Sequence, residues 1–235
     1  MDKIKKHDLV QGEHFHFYVT SGEIAKRIFE EGRLPFQTPN KTFCLSGEPH
    51  PKFSSHMPLF EGSDFSESAT CDKADFIYLT IPHVGGEDQT EAHHFHEQVQ
   101  RLKETNLPVV CTNPDRFAHE GNPPKAVVRQ GTLAAMYEEL GGTVHYIGKP
   151  SITAYAHAME YFIPHNILDP SDIIMVGDTP ETDIRGARRF GMKSALIIQT
   201  GIMADRIENE NFDVAASQLP ASDKPDYFIK RLGTS

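Results

Sequence analysis

The chain has 235 residues, 38% hydrophobic and 24% charged, the balance of a globular protein with a buried core and not of a disordered or fibrous one. Its formal net charge of −10 makes nucleic acid a poor partner, but leaves room for a small phosphorylated molecule where a metal or a lysine offsets the repulsion locally. No run of about 18 apolar residues is present to span a membrane, the N-terminus lacks the apolar stretch of a signal peptide, and the scattered Cys44, Cys71 and Cys111 read as reduced thiols of a cytoplasmic protein.

Residues 1–14 carry no strong pattern. His14 to Val19 (HFHFYV) alternates and predicts a strand, and Thr20 with Glu23 has capping-box spacing ahead of a helix from Ile24 to Glu31 that stops at Gly32. Lys41 to Leu45 predicts a short strand. Residues 46–74, rich in Ser, Pro, Gly and His, predict mostly loop. Asp75 to Ile81 (DFIYLTI) predicts a buried strand. Thr90 to Thr105 has helical spacing, with Phe95, Val99 and Leu102 on one face, and its His93, His94 and His96 read as surface residues. Leu107 to Cys111 predicts a strand, TNPDRFAHEGNPP a long loop, and Thr132 to Leu140 a helix stopped by Gly141 and Gly142.

From there strands and helices alternate: strand Val144 to Ile147, helix Ile152 to Phe162, strand Asp172 to Val176, helix Thr182 to Phe190, strand Ser194 to Gln199. Asp223 to Leu232 predicts a closing helix. The alternation implies an α/β fold with a parallel sheet covered on both faces.

Two segments carry chemistry. In DIIMVGDTPETDIRGARRFGM an apolar strand runs into Gly177 and Asp178, and Asp183 follows at a helix start. Ligands of open parallel sheets bind beyond the carboxyl ends of the strands, where two such carboxylates suit Mg²⁺. On spacing alone the pair suits equally well a turn residue and a dipole-favoured helix-start charge. In VHYIGKPSITAYAHAM a strand ends at Gly148, and Lys149 stands beside a helix N-terminus, a phosphate-friendly corner. Alone, that lysine also fits a solvated loop tip.

Together, GKP, one helix, and a strand ending in GDTPETD resemble the third and fourth motifs of the haloacid dehalogenase (HAD) superfamily. Asn113-Pro114-Asp115 and the TSGE at Thr20 narrow the resemblance to the subclass IIA phosphatases with an inserted α/β cap, which act on nucleotides, sugars and pyridoxal phosphate. The resemblance implies a HAD-like Rossmannoid parallel-sheet core (113–235) with an α/β cap (15–112) after a short remnant (1–14). It implies that Lys149 steadies the phosphoryl group, that Asp178 binds Mg²⁺ and Asp183 supports the metal or its waters, and that Asn113 and Asp115 lie near the substrate. The expected partner is a small phosphorylated metabolite, with no nucleic acid and no membrane; a homo-oligomer is allowed. The family's first two motifs, an apolar strand ending in Asp-x-Asp and a strand ending in Ser or Thr, have no counterpart upstream of residue 20. Asp8, in KKHDLVQGE, reads as a surface residue. The expectation is therefore an incomplete core: a HAD-type Mg-dependent phosphatase whose nucleophile is missing from these residues, with a non-catalytic truncated product or binding module as the alternative. Removing two strands should also leave a gap between Val144–Ile147 and Asp172–Val176.

Overall fold

The computed structural model describes residues 8–232. Thr20 caps the first helix, α1 (Ser21–Glu30), through the reciprocal capping box with Glu23, and Ile24, Ala25 and Phe29 form its buried stripe. There follow β1 (Thr42–Leu45), the two-residue β2 (Ser66–Glu67) and β3 (Phe76–Tyr78). A 3₁₀ turn over Ala92–Phe95 leads into α2 (His96–Glu104), and β4 (Val109–Cys111) comes next. The chain then forms an antiparallel hairpin, β5 (Phe117–Glu120) and β6 (Lys125–Val128), before α3 (Gln130–Glu139) and β7 (Val144–Tyr146).

The last third contains α4 (Ile152–Met159), β8 (Ile174–Gly177), a widened π-type turn over Pro180–Ile184, α5 (Arg185–Phe190) and β9 (Lys193–Ile197). It closes with α6 (Gly201–Glu210), α7 (Phe212–Ser217) and β10 (Tyr227–Ile229).

The strands form a five-stranded parallel sheet, β2-β1-β3-β4-β7, and a separate three-stranded parallel sheet, β10-β9-β8. Parallel sheets bury both faces, so their strands are apolar throughout, as Phe76-Ile77-Tyr78 and Val109-Val110-Cys111 are, every residue buried. One core cluster, stacked around Phe29, Phe43, Phe60 and Phe76, extends to Tyr155, Ala187 and Met192 and so joins the large sheet to α4 and α5. A second lies under α2 and α3 around Val99 and Leu133. A third, Ile184, Leu196, Met203, Ala215 and Leu219, holds the small sheet to its helices.

Several sequence expectations are corrected. His14 to Val19 is not a strand: only an isolated bridge, Gln11 to Phe15, forms there. The expected closing helix over 223–232 is instead a 3₁₀ turn (Ala221–Asp223) followed by β10, and the loop after β4 contains the β5–β6 hairpin. Cys44 and Cys71 are joined by a disulfide, with Cα atoms 5.2 Å apart, leaving Cys111 as the buried free thiol. Their spacing of 27 residues hid the pairing, because the strand and the turn that meet there are distant in sequence. Val144–Tyr146, expected in the core, pairs with β4 at the edge of the large sheet. It does not pair with β8, which has β9 as its only partner among the described residues. The large sheet therefore reaches past residue 112. Among the described residues no helix is long and apolar enough to cross a membrane.

Candidate active site

Lys149 is brought together with Asp178 and Asp183 from two segments, the loop after β7 and the end of β8 with its following turn. β8 ends at Gly177, so Asp178 stands at the carboxyl end of a parallel strand, where side chains are free to meet a ligand. The π-type turn that follows, closed by the Asp183 N–H bonding the Thr179 carbonyl at 2.9 Å, swings Asp183 back over the strand end. Turns of this widened kind recur at functional sites. Lys149 arrives from β7 through Gly148, whose φ of +126° packs the backbone against Pro114.

The Lys149 Nζ donates to Asp183 Oδ1 at 2.5 Å, and the Thr179 N–H donates to Asp183 Oδ2 at 3.1 Å. Both carboxylate oxygens of Asp183 are therefore engaged, and its side chain is 3% exposed against 46% for Lys149. Asp178 is held from the far side: the Ile202 N–H donates to its Oδ2 at 2.9 Å, and the Met203 N–H donates to its backbone carbonyl at 3.1 Å. Two glycines make this closeness sterically feasible. A Cβ on Gly177 would collide with the Asp183 carboxylate, and one on Gly201, at φ +71°, would collide with that of Asp178.

Asn113 and Asp115 belong to a turn at the end of β4. The Asp115 N–H donates to Asn113 Oδ1 at 3.3 Å and the Asn113 amide donates to Gln130 Oε1 at 3.3 Å, so Asn113 shapes the turn. Asp115 faces the cluster electrostatically. Desolvation pushes its carboxyl above the usual range, Lys149 opposes this, and the charges of Asp183 and Asp178 add to it. For Lys149, desolvation acts to lower the pKa, but Asp183, by charge and by hydrogen bond, then Asp115 and Asp178, raise it overall. The ammonium is thus firmly charged.

Three carboxylates face one ammonium, and the local excess of negative charge favours a hard cation. Among the described residues no group of three or more His, Cys, Asp or Glu side chains forms a metal cage. Mg²⁺ does not need one: it takes one or two carboxylates and completes its shell with water and phosphate oxygens. Asp178 could supply such a ligand, and Asp183, with both oxygens already bonded, could support the metal or its waters.

Sequence reasoning missed two supports. The Tyr155 hydroxyl, buried in α4, reaches the carbonyls of Thr182 at 3.1 Å and Asp183 at 2.9 Å, and so fixes the turn that presents Asp183. The start of α6 holds Asp178. Tyr155 lay in view in ITAYAHAM, six residues after Lys149, but nothing in spacing marks a hydroxyl aimed at a backbone 27 residues away. Asp8, an exposed turn residue at φ +54°, takes no part.

The HAD-hydrolase-like family profile matches residues 146–234, the stretch that contains Lys149, Asp178 and Asp183. Over that stretch the chain is similar to the HAD-like hydrolases. Human chronophin is 29% identical over 150 residues, 63% of this chain and 47% of that protein, so the match spans about half the length of this curated relative. Among solved structures, a haloacid dehalogenase-like hydrolase from Brucella suis superimposes with a TM-score of 0.67 at 25% identity, over 83% of this chain and 69% of the other. The p-nitrophenyl phosphatase of Archaeoglobus fulgidus gives 0.59 at 18% identity over 97% and 76%. The glycerol phosphate phosphatase of Mycobacterium tuberculosis, solved in complex with magnesium, gives 0.60 at 17% identity over 94% and 57%. The fold is that of a HAD-like α/β core with an α/β cap.

Proposed function

We propose that this chain binds a small phosphate ester, with Mg²⁺, as the phosphate-holding portion of a HAD-type phosphomonoester hydrolase. The observation that carries the reading is the Lys149–Asp183 ion pair set against Asp178 at the carboxyl end of β8. In this reading Lys149 meets the phosphoryl oxygens as a fixed positive charge. Asp178 and Asp183 would hold the metal, which supplies charge neutralisation of the transferring group when bound. Asp115 faces the same cluster and is placed to accept a hydrogen bond from a substrate hydroxyl, while Asn113 holds that turn in place. Support for magnesium comes from the donor set and from the M. tuberculosis phosphatase solved with that ion.

Hydrolysis itself requires a nucleophile. No strand flanks β8 on its open side among the described residues, and the aspartates that act on Lys149 there are Asp183, Asp115 and Asp178, each already assigned above. The same observation favours the second reading, a non-catalytic binding module that retains the fold. The cytoplasmic setting expected from the sequence requires Cys44 and Cys71 as reduced thiols, whereas the two are bridged here as in oxidising compartments; a thiol count on protein purified under non-reducing conditions decides the point.

The test separates binding from turnover. Residues 1–235 should bind inorganic phosphate in the presence of Mg²⁺, with affinity roughly tenfold weaker in Lys149→Ala, while aryl phosphate turnover stays negligible. Phosphate binding indifferent to Lys149→Ala would remove the site assignment. Robust turnover abolished by Asp178→Asn would keep the site and remove the inactive reading.

A further inference from the structure

The large sheet carries a second crevice that the phosphate site does not use. Its strand order is β2-β1-β3-β4-β7. From β1 the chain steps outward to β2, then returns past β1 to β3 and continues in the other direction through β4 to β7. The direction of winding therefore reverses between β1 and β3. In an open parallel sheet, a ligand crevice opens at such a reversal, outside the carboxyl ends of the strands. Here a cavity of about 680 Å³ lies at that point, lined by the segments that follow β1 and β3 and by the start of α2. That volume is in the range of small-molecule sites. It shares no lining residue with the cleft that contains Lys149 and Asp115.

The floor of the crevice is polar and fixed. The hydroxyls of Ser46 and Thr80, both buried, bond each other at 3.1 Å, and the Gln98 amide donates to the Ser46 carbonyl at 2.7 Å. His83 is fully used: Gly86 N–H donates to its Nδ1 at 3.0 Å, and its Nε2 faces the Glu48 carbonyl at 3.1 Å. The rim is different. His93 and His94 lie with ring centroids 4.1 Å apart, and no hydrogen bond or ion pair among the described residues engages either imidazole or the Arg101 guanidinium. All three are exposed and line the cavity. On another part of the lining Val84 is left 49% exposed. Glu48 and Glu97 also face the cavity, which disfavours a polyanion.

We propose that this crevice is a second binding site, for a small organic molecule with one anionic group and an apolar body. The anionic group is held by Arg101 with His93 and His94, and the apolar body covers Val84. Arg101 offers the planar fork that matches carboxylate and phosphate oxygens alike, so the charge and not the element defines the class. The site is independent of the phosphate reading, because none of its residues belongs to that cluster.

Phenyl phosphate and benzoate, observed by saturation-transfer NMR and titrated calorimetrically against the full chain, test it. The background is Lys149→Ala, which removes the cation of the other site. Binding of at least one probe should persist there and weaken roughly tenfold in Lys149→Ala/Arg101→Ala. Val84→Asp, a change on an exposed side chain, should weaken it as well. Binding of phenyl phosphate alone would assign phosphate esters, and binding of both would assign aryl carboxylates in addition. No binding of either probe in the Lys149→Ala background, or binding unchanged by both Arg101→Ala and Val84→Asp, would overturn the proposal.

Discussion

At the scale of single residues, the candidate site depends on groups that never touch a ligand. Tyr155 is one of them. Its hydroxyl bonds the two successive carbonyls that set the turn bearing Asp183. In Tyr155→Phe those buried carbonyls lose their donor, which costs about 1 kcal/mol of stability; chemical denaturation measures it. Phosphate affinity should fall as well, because Asp183 anchors Lys149. A variant with unaltered phosphate binding would show that the turn holds its shape without the tyrosine. Gly201 is a second case. Its positive φ costs an alanine about 1 kcal/mol, and the added Cβ must displace the Asp178 carboxylate. Gly201→Ala should weaken Mg²⁺ binding by roughly tenfold or more, as loss of an outer support does elsewhere, measured by calorimetric titration with the metal. Unchanged metal affinity would exclude Asp178 as a ligand.

At the scale of elements, β8 is the feature most at odds with its own sequence. Ile174-Met175-Val176 reads as a strand covered on both sides, yet among the described residues only one edge is paired and Ile174 is 48% exposed. Open, apolar edges recruit other strands. We expect concentration-dependent self-association, reduced in Ile174→Lys and read by analytical ultracentrifugation; a monomer at all concentrations would show that the edge is shielded. The same elements show what a sequence discloses. Helix α1 was legible because the capping box at Thr20 and Glu23 is a local device, and the Lys149 and Asp178 corners were legible because each strand runs directly into its functional residue. The partner of β7 was not legible: Val144–Tyr146 is equally suited to either sheet, and only packing against β4 decides. β10 is largely exposed, at both Tyr227 and Phe228, and has no local turn signal to distinguish Tyr227-Phe228-Ile229 from a helix end. The Cys44–Cys71 pair and the reach of Tyr155 are contacts between distant segments, for which spacing carries no information.

At the scale of the whole molecule, the small sheet is tied down by one buried ion pair. Arg185 in α5 grips Asp223 through two hydrogen bonds, at 2.7 and 2.6 Å, and Asp223 is fully buried. Desolvation acts to raise the Asp223 pKa, but the hydrogen bonds from Arg185 and Ser222 and the charge of Arg185 hold it below the usual range. A carboxyl with a depressed folded-state pKa contributes stability above its unfolded pKa, about 3.9, and loses it as pH falls through the folded value. Acid unfolding should therefore have a component below about pH 4 that disappears in Asp223→Asn, itself destabilised by about 3 kcal/mol because the Arg185 charge loses its partner. An acid limb identical in the two proteins would exclude this pair as its source.

The β5–β6 hairpin, a small element that leaves the chain just after Asp115, has a larger consequence. His119 on β5 bonds Asp205 on α6 at 2.6 Å, and Arg206 on the same helix pairs with Glu181 in the turn that bears Asp183. The first turn of α6 also grasps Asp178. One short helix thus acts as a crossbar between the loop on the Asp115 side and both acids on the other. A ligand that drew Asp115 toward the metal-side carboxylates would pull on the hairpin, the helix and the turn as one linkage, so the spacing of the three acids is set by a strut that lies outside the cleft.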